Sequence, residues 1–165
     1  KAKNLELLEN LKKWFNFKYE VIYFYNVYGP RQIETGEMAT VIGIFQNLYK
    51  KKIPLTIVKP GNQTRQFTHI SDTVKVCVEA WKKNKCRHYS IFHKKAYSIK
   101  DVAKMFGGKI KYLKVRRGER FASALTKMHL NNKIIHKYGR IHLKDYITSF
   151  IKLENYENKK LIKVN

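Results

Sequence analysis

The order of apolar and polar residues along the chain predicts alternating helices and strands. Apolar residues at positions 2, 5, 8, 11 and 15 recur at helical spacing, which predicts an amphipathic helix over 2–15. The run 21–25 is β-branched and aromatic without polar alternation, which is typical of a strand buried on both faces of a parallel sheet. The same patterns predict a second helix over 38–49. Short strands are predicted over 55–58, 67–70, 89–92 and 110–115.

Polar residues mark the starts and ends of further predicted helices. Ser71 is predicted to cap a helix over 72–82. Ser98 and Asp101 form a capping-box pattern that opens another helix, which ends before a Gly-Gly pair. A final amphipathic helix is predicted over 143–153, followed by a polar tail that we expect to be unstructured. Because strands and helices alternate with short links, the predicted class is α/β.

Length and composition narrow the class further. With 165 residues, 44% of them hydrophobic, the chain is expected to form one domain, or a piece of one, with a packed core. No apolar run approaches the ~20 residues that span a bilayer, so we expect no membrane protein. The first residue is Lys1 rather than Met, and we expect the chain to begin inside a longer one. Cys77 and Cys86 form neither a disulfide framework nor a metal signature, which favours a reducing, cytoplasmic setting.

Positive charge is the strongest bias in the composition. The chain has 35 Lys and Arg residues against 12 Asp and Glu residues, a net charge of +23, and most of this charge lies after residue 50. Such a surface attracts polyanions or a phosphorylated ligand. The lysines are scattered rather than arranged in a stripe, which favours the simpler interpretation of solvated helix faces.

The sequence lacks the short motifs that mark several common kinds of catalytic or cofactor site. The sequence contains no glycine-rich dinucleotide loop, no P-loop, no HExxH motif and no CxxC pair. Its six histidines show no metal-ligand spacing within one predicted element, so no metal site is expected.

Polar residues in predicted loops offer a different kind of site. Asn26 follows the strand over 21–25, at the position where open α/β sheets place their ligand crevice. Arg65 follows a Pro-Gly turn, and Arg116 precedes Glu119 after a later strand. Two arginines that converged from these loops would clamp a pyrophosphate, and a glutamate can accept hydrogen bonds from ribose hydroxyls. On spacing alone, the alternative that each arginine pairs with a surface carboxylate stays open.

Four segments carry a family resemblance. They are YFYNVYGPRQ (23–32), PLTIVKPGNQTRQFTHISDTV (54–74), HYSI with a later YSIKDVAKMF (88–106), and VRRGE (115–119). In this order they resemble the C-terminal half of the extended short-chain dehydrogenase/reductases that act on nucleotide sugars, in particular UDP-glucose 4-epimerase-like members. The resemblance implies that 1–151 holds the last parallel strands and helices of a Rossmann sheet together with a small α/β substrate-binding lobe. A polar C-terminal tail is expected over 152–165.

The resemblance also implies where the cofactor NAD would bind. Counting back from Asn26 places the lysine of the family's catalytic Tyr-x-x-x-Lys motif on Lys1, and its tyrosine outside the sequence. Lys1 would bond the nicotinamide ribose and, by its positive charge, favour the tyrosinate. Phe24 stands beside the nicotinamide position, where the family has a tyrosine.

The substrate residues are implied in the same way. Asn26 would bind the nucleotide diphosphate, Arg65 and Arg116 would grip its phosphates, and Glu119 would bind the nucleoside ribose. Asp72 resembles the family's structural acid at a helix start, so no catalytic role is expected for it.

The implied function is an NAD-dependent nucleotide-sugar epimerase, which removes a hydride from the sugar and returns it through a keto-sugar intermediate. A 4,6-dehydratase or reductase of the same superfamily is one alternative, and a basic nucleic-acid-binding module is a second, less favoured one. The base and the sugar stay open. We expect a cytoplasmic protein that binds a nucleotide-diphosphate sugar and forms a homodimer at full length. Lacking the tyrosine and a glycine-rich turn, the 165-residue chain alone is predicted to be inactive.

Overall fold

The computed structural model of the chain describes residues 2–115, 118 and 134–164. Helices and strands alternate through these residues and most strand pairs are parallel, which confirms the α/β class. The helices are α1 (Ala2–Phe15), α2 (Val41–Lys50), α3 (Ile70–Lys83), α4 (Ile99–Phe106) and α5 (Leu143–Val164). The strands are β1 (Val21–Phe24), β2 (Val27–Tyr28), β3 (Leu55–Val58), β4 (Thr64–Gln66), β5 (Thr68–His69), β6 (His88–Phe92), β7 (Ala96–Ser98), β8 (Ile110–Leu113) and β9 (Ile134–Tyr138).

A parallel sheet with the order β1–β6–β9 forms one part of the fold. Val21 of β1 and Ile134 of β9 both lie opposite His88 at the start of β6. β6 is buried along its whole length, whereas β1 is half-buried and ends at the exposed Phe24. Among the described residues β1 is thus not buried on both faces as predicted, and the fully buried strand is β6, because β1 and β9 flank it on both sides.

A small apolar cluster holds α3 against this sheet. Val76 and Ala80 of α3 pack with Tyr89 and Ile91 of β6. Ile91 lies two residues after Tyr89, so both side chains leave the same face of the strand. Ala80 and Tyr89 are fully buried, and the small alanine lets the helix approach the sheet closely.

A larger apolar cluster lies among α2, α4, α5 and the parallel pair β3–β8. The ring of Phe106 in α4 has its centroid 5.9 Å from that of Phe45 in α2 and 6.1 Å from that of Phe150 in α5. Leu55 and Ile57 of β3 are buried in the same cluster, because alternate residues of a strand share one face. Phe45 and Ile57 also line a cleft of about 420 Å³, so this cluster forms the base of that cleft.

Local signals determine both ends of α4. Ser98 Oγ accepts a hydrogen bond from Asp101 N at 3.0 Å, and Gly107 ends the helix in the left-handed region at φ 73°. The predicted capping box and glycine stop are therefore confirmed.

The C-terminal helix is longer than the sequence pattern predicts. α5 continues from Leu143 to Val164, so the prediction of an unstructured tail is wrong. The segment contains neither Gly nor Pro and is rich in residues that favour helices. Asn158 Nδ2 donates to the carbonyl oxygen of Glu154 at 2.8 Å, one turn back, within this part of the helix.

One carboxylate joins the start of β1 to the start of β6. Glu20 accepts hydrogen bonds from three consecutive backbone amides, those of Lys85, Cys86 (3.1 Å) and Arg87 (2.7 Å). Hydrogen bonds to a charged acceptor are stronger than neutral ones. This contact therefore helps to fix the parallel register, which begins at the next residue of each strand.

We expect Glu20→Ala to lower the free energy of unfolding of the full-length protein by about 1–3 kcal/mol, because three backbone donors lose a charged acceptor. Urea unfolding followed by circular dichroism measures the change. Glu6→Ala is the matched control, because among the described residues Glu6 forms only an exposed ion pair with Lys3, and its loss should cost less than about 0.5 kcal/mol. Equal effects of the two substitutions would contradict a structural role for Glu20.

Candidate functional site

A cleft of about 420 Å³ lies beside the carboxyl ends of β1 and β3 and the start of α2. Most of its lining is apolar and comes from the larger cluster, including Phe45, Ile57 and Phe67. Polar side chains also line it: Asn26, Thr40, Thr56, Gln63 and Arg65. The cleft can therefore hold a ligand that has both an apolar, flat part and a charged part.

Asn26 lies where the chain leaves β1 and turns into β2. Its backbone adopts the left-handed region at φ 38°, which asparagine tolerates better than most residues. Its Nδ2 atom donates to the carbonyl oxygen of Gln66 at 2.9 Å, and its own carbonyl oxygen accepts from Thr68 N at 3.4 Å. Asn26 is thus attached to the chain that carries Arg65.

Arg65 is the middle residue of β4, which pairs antiparallel with β7 opposite Tyr97. Its side chain is half-buried, and Nη1 donates to the carbonyl oxygen of Thr64 at 2.8 Å. Gln63, Arg65 and Phe67 all line the cleft, as the two-residue alternation of an extended chain requires.

The first turn of α2 forms another wall of the cleft. Thr40 caps this helix, with its Oγ1 atom accepting from Gly43 N at 3.0 Å. A Cβ atom at Gly43 would lie only 2.3 Å from the carbonyl oxygen of Ile33, so only glycine permits this approach of helix and loop. The start of the helix is thereby held at a fixed position beside Asn26.

His69 is the last residue of β5 and lies opposite Tyr28 in the strand pair β2–β5. Its Nδ1 atom accepts from Ser71 N at 3.2 Å, so the histidine ring caps α3, and the prediction that Ser71 is the cap is wrong. The ring packs edge-on against Tyr28 and Tyr146. Burial lowers the pKa of His69, and the nearby Asp72 carboxylate partly opposes this shift.

Asp72 fastens the chain that leads into α5. Its Oδ2 atom accepts from the backbone amides of Arg140 at 2.8 Å and Ile141 at 3.0 Å. Both bonds are to backbone, and Asp72 does not line the cleft. This arrangement agrees with the structural role that the resemblance implies for Asp72.

Two of the predicted site residues, Asn26 and Arg65, lie together in the cleft. Phe24 does not line it; its side chain is 57% exposed at the end of β1. Lys1, Arg116 and Glu119 lie outside the described residues, so the predicted pairing of Arg65 with Arg116 stays a prediction.

Sequence reasoning missed Thr40 and Gln63 as lining residues. A signal for Gln63 was present, because a residue two positions before Arg65 on an extended chain shares its face. Thr40 could have been recognised as the cap before the apolar run of α2.

Metal-ligand groups and membrane-spanning helices are both absent from the described part of the chain. Within it, no three His, Cys, Asp or Glu side chains are grouped closely enough to hold a metal ion. None of its helices combines the length and apolar character needed to cross a membrane.

Comparison with protein families gives a match over residues 1–92, to the family described as the NAD dependent epimerase/dehydratase family. Among curated proteins, an uncharacterized UDP-glucose epimerase of Bacillus subtilis is 45% identical over 64 residues. The matched segment is 39% of this chain and 19% of that relative.

Two solved structures show the same fold. The UDP-N-acetylglucosamine 4-epimerase of Methanobrevibacter ruminantium, in complex with UDP-N-acetylmuramic acid, superposes with a TM-score of 0.79 at 20% identity over 94% of this chain. The UDP-glucose 4-epimerase of Thermotoga maritima, with UDP-glucose, superposes with a TM-score of 0.77 at 22% identity over 98% of this chain. The chain spans 52% of the length of each of these proteins.

We expect the His69→Asn variant to lose less stability than the wild type when the pH falls from 7 to 5. Because the pKa of His69 is lowered in the folded state, the unfolded chain binds the extra proton first, so acid below about pH 6.5 favours unfolding. Asparagine does not titrate but can still cap α3. Urea unfolding at pH 5, 6, 7 and 8 measures the slope, and the pH 8 value isolates any effect that does not depend on pH. If stability depended on pH equally in the two proteins, the lowered pKa of His69 in the folded state would be wrong.

Proposed function

The chain belongs to the NAD dependent epimerase/dehydratase family, and we propose that it supplies the nucleotide-sugar-binding part of an NAD-dependent nucleotide-sugar epimerase. The observation that carries this proposal is the placement of Asn26 and Arg65 in one cleft with a mostly apolar lining. The cleft volume of about 420 Å³ lies within the range of ~300–1,000 Å³ that is usual for small-molecule sites.

The polar and apolar parts of the cleft suit the two parts of a nucleotide sugar. The guanidinium of Arg65 offers a planar fork that matches phosphate oxygens and neutralises their charge. Asn26 lies beside the same ligand position and can orient the diphosphate. Phe45, Ile57 and Phe67 provide apolar surface for a base or a sugar ring. By resemblance, Arg116 and Glu119 would add contacts to the phosphates and the ribose.

The described residues also suit NAD, the cofactor of this family. Phe24 exposes an aromatic ring at the carboxyl end of β1, two residues before Asn26, on the side where open α/β sheets bind their ligands. We propose that Phe24 packs beside the nicotinamide and that Lys1 bonds its ribose. When bound, NAD supplies a hydride acceptor that can return the hydride to the sugar. Lys1 would lower the pKa of the upstream tyrosine through its positive charge, which favours the basic form of that residue.

A nucleotide-sugar 4,6-dehydratase or reductase is the alternative within the same family, whose description covers epimerases and dehydratases alike. The groups that separate these reactions are expected beside the tyrosine upstream of Lys1. In either case we propose a cytoplasmic enzyme that is a homodimer at full length, and a 165-residue chain that is inactive alone. A nucleic-acid-binding module is less favoured, because Tyr28, Phe67 and Tyr89 are buried in the core and the exposed Trp14 and Trp81 lie on separate helices, α1 and α3.

We expect Arg65→Ala in the full-length protein to weaken the binding of UDP-glucose by roughly 1.5–3 kcal/mol, about 10- to 150-fold, since a charged hydrogen-bond donor to phosphate is lost. The affinity of Arg65→Lys for UDP-glucose should fall between those of Arg65→Ala and the wild type, because lysine keeps the positive charge but not the planar fork of donors. Isothermal titration calorimetry measures both changes.

The control for this experiment is Arg87→Ala, which removes an exposed arginine at the opposite end of the sheet. Its affinity for UDP-glucose should match that of the wild type. If Arg65→Ala and Arg87→Ala bound UDP-glucose equally well, the proposed phosphate contact would be wrong.

A further inference from the structure

His93 holds the turn that joins β6 to β7. It follows the last residue of β6, and its Nδ1 atom accepts a hydrogen bond from Lys95 N at 3.1 Å. A side chain that accepts from the backbone amide two residues further on makes the bond of an Asx turn, here with an imidazole nitrogen as the acceptor. Ala96 begins β7 directly after Lys95. The ring of His93 therefore fixes the point at which β7 starts.

This bond requires the neutral form of the imidazole. A backbone N–H can only donate, so the ring nitrogen that faces Lys95 N must carry no proton. Turning the ring over would put a carbon atom in that place and leave the amide without its acceptor. A protonated imidazole donates from both of its nitrogens. The turn and the charged form of His93 therefore exclude one another.

The surroundings of the ring also disfavour its charged form. His93 is only 9% exposed, and its ring centroid lies 4.7 Å from that of His142, the residue immediately before α5. Burial lowers the pKa of His93, and His142 lowers it further. Among the described residues, the other charged groups that act on this pKa are the Asp72 carboxylate of α3, which raises it, and the Lys95 ammonium, which lowers it. Acid therefore charges a released ring more readily than a ring held in its turn.

β7 connects this turn to the cleft. It pairs antiparallel with β4, and Tyr97 of β7 lies opposite Arg65. Ala96 lies opposite Gln66, whose carbonyl oxygen accepts from Asn26 Nδ2. Both Arg65 and Asn26 line the cleft. The two cleft residues are therefore attached to the strand whose start His93 fixes.

The turn and β7 can open without unfolding of the whole protein. β7 has only three residues, and Lys94, Lys95 and Ala96 are exposed. Short, exposed segments with few buried contacts open locally at a low free energy. Losing the hydrogen bond at the turn therefore shifts the balance from a paired toward a released β7.

We propose that His93 is a positioning residue for the ligand cleft: its neutral ring holds β7 against β4 so that Arg65 faces the ligand, and protonation of the ring releases this pair. The inference rests on the proposed function, in which Arg65 holds the diphosphate of a nucleotide sugar, and adds to it a loss of binding in acid. A released His93 takes up its proton at the ordinary histidine pKa near 6.5. The opening equilibrium of the turn therefore increases by up to about 10-fold between pH 7.5 and pH 5.5.

Hydrogen–deuterium exchange of the full-length protein, followed by mass spectrometry at pH 7.5 and pH 5.5, measures this opening. Each rate is divided by the intrinsic exchange rate at the same pH to give a protection factor. We expect the protection of residues 95–98 and 64–66 to fall by about 3- to 10-fold in acid, and that of residues 44–48 of α2 to fall less.

Isothermal titration calorimetry with UDP-glucose measures the consequence for the cleft. Binding should be about 2- to 10-fold weaker at pH 5.5 than at pH 7.5. Both phosphates of UDP-glucose are diesters, so the ligand lacks the ionisation near pH 6 that a terminal phosphate would add.

Two substitutions separate the proton from the hydrogen bond of the turn. Asparagine does not titrate but accepts from the amide two residues further on, so His93→Asn should keep the protection of residues 95–98 at pH 7.5 and lose less of it in acid than the wild type. Alanine offers no acceptor, so His93→Ala should show low protection and weak binding at both pH values. His88→Asn is the matched control, because His88 is a buried histidine at the opposite end of β6, and this variant should keep the acid response of the wild type.

The inference is overturned if the wild type protects residues 95–98 equally at both pH values, or if His93→Asn keeps the full acid response. Loss of protection with unchanged affinity for UDP-glucose also overturns it, because β7 would then not position Arg65. Should both His93 variants fail to fold, the wild-type exchange decides, since protection that does not depend on pH excludes a proton-linked release. A protein that bound no UDP-glucose at either pH would remove the proposed function, while the exchange of residues 95–98 would still decide whether His93 holds β7.

Discussion

The hydrogen bonds between Asn26 and the segment around Gln66 join the two apolar clusters of this protein. Asn26 ends the sheet that packs on α3, and Gln66 belongs to the β4–β5 segment, which runs alongside the larger cluster. The bond from Asn26 Nδ2 to the Gln66 carbonyl oxygen spans 40 positions of the chain. The short parallel pair β2–β5 continues the same contact. The cleft lies where these parts meet, so its shape depends on this junction.

The chemistry of the cleft follows from what each wall contributes. The larger cluster requires apolar side chains in its core, and Phe45, Ile57 and Phe67 belong to that core and face the cleft as well. The loops and short strands that cross the cluster bring the polar groups. A strand such as β4 can place arginine and glutamine there because every second residue faces the cleft and its neighbours face elsewhere. Stability and recognition therefore depend on the same alternation.

The large positive charge of the chain has a limited part in this arrangement. Of its 35 Lys and Arg residues, Arg65 is the only one among the described residues that lines the cleft. Four lysines of the described residues lie over aromatic rings, and the two nearest are Lys94, 4.6 Å from the Tyr138 centroid, and Lys95, 5.0 Å from that of Tyr97. A site for one diphosphate needs a few directed donors, whereas scattered surface charge is screened over about 8–10 Å at ordinary salt concentrations.

The sequence by itself determined the features that arise from neighbouring residues. The helical spacing of α1, the apolar run of β3 and the capping box and glycine stop of α4 act within a few positions, and the structure confirms each of them. The motifs around Asn26 and Arg65 likewise identified residues that line the cleft. Tertiary structure alone decided which strand is fully buried, that the His69 ring caps α3, and that Glu20 binds the amides of residues 85–87. It also decided that the acceptor of Gln63 has no donor among the described residues. The physical reason is distance along the chain: burial and hydrogen-bond satisfaction depend on partners that folding brings together, and no local pattern encodes which partner arrives.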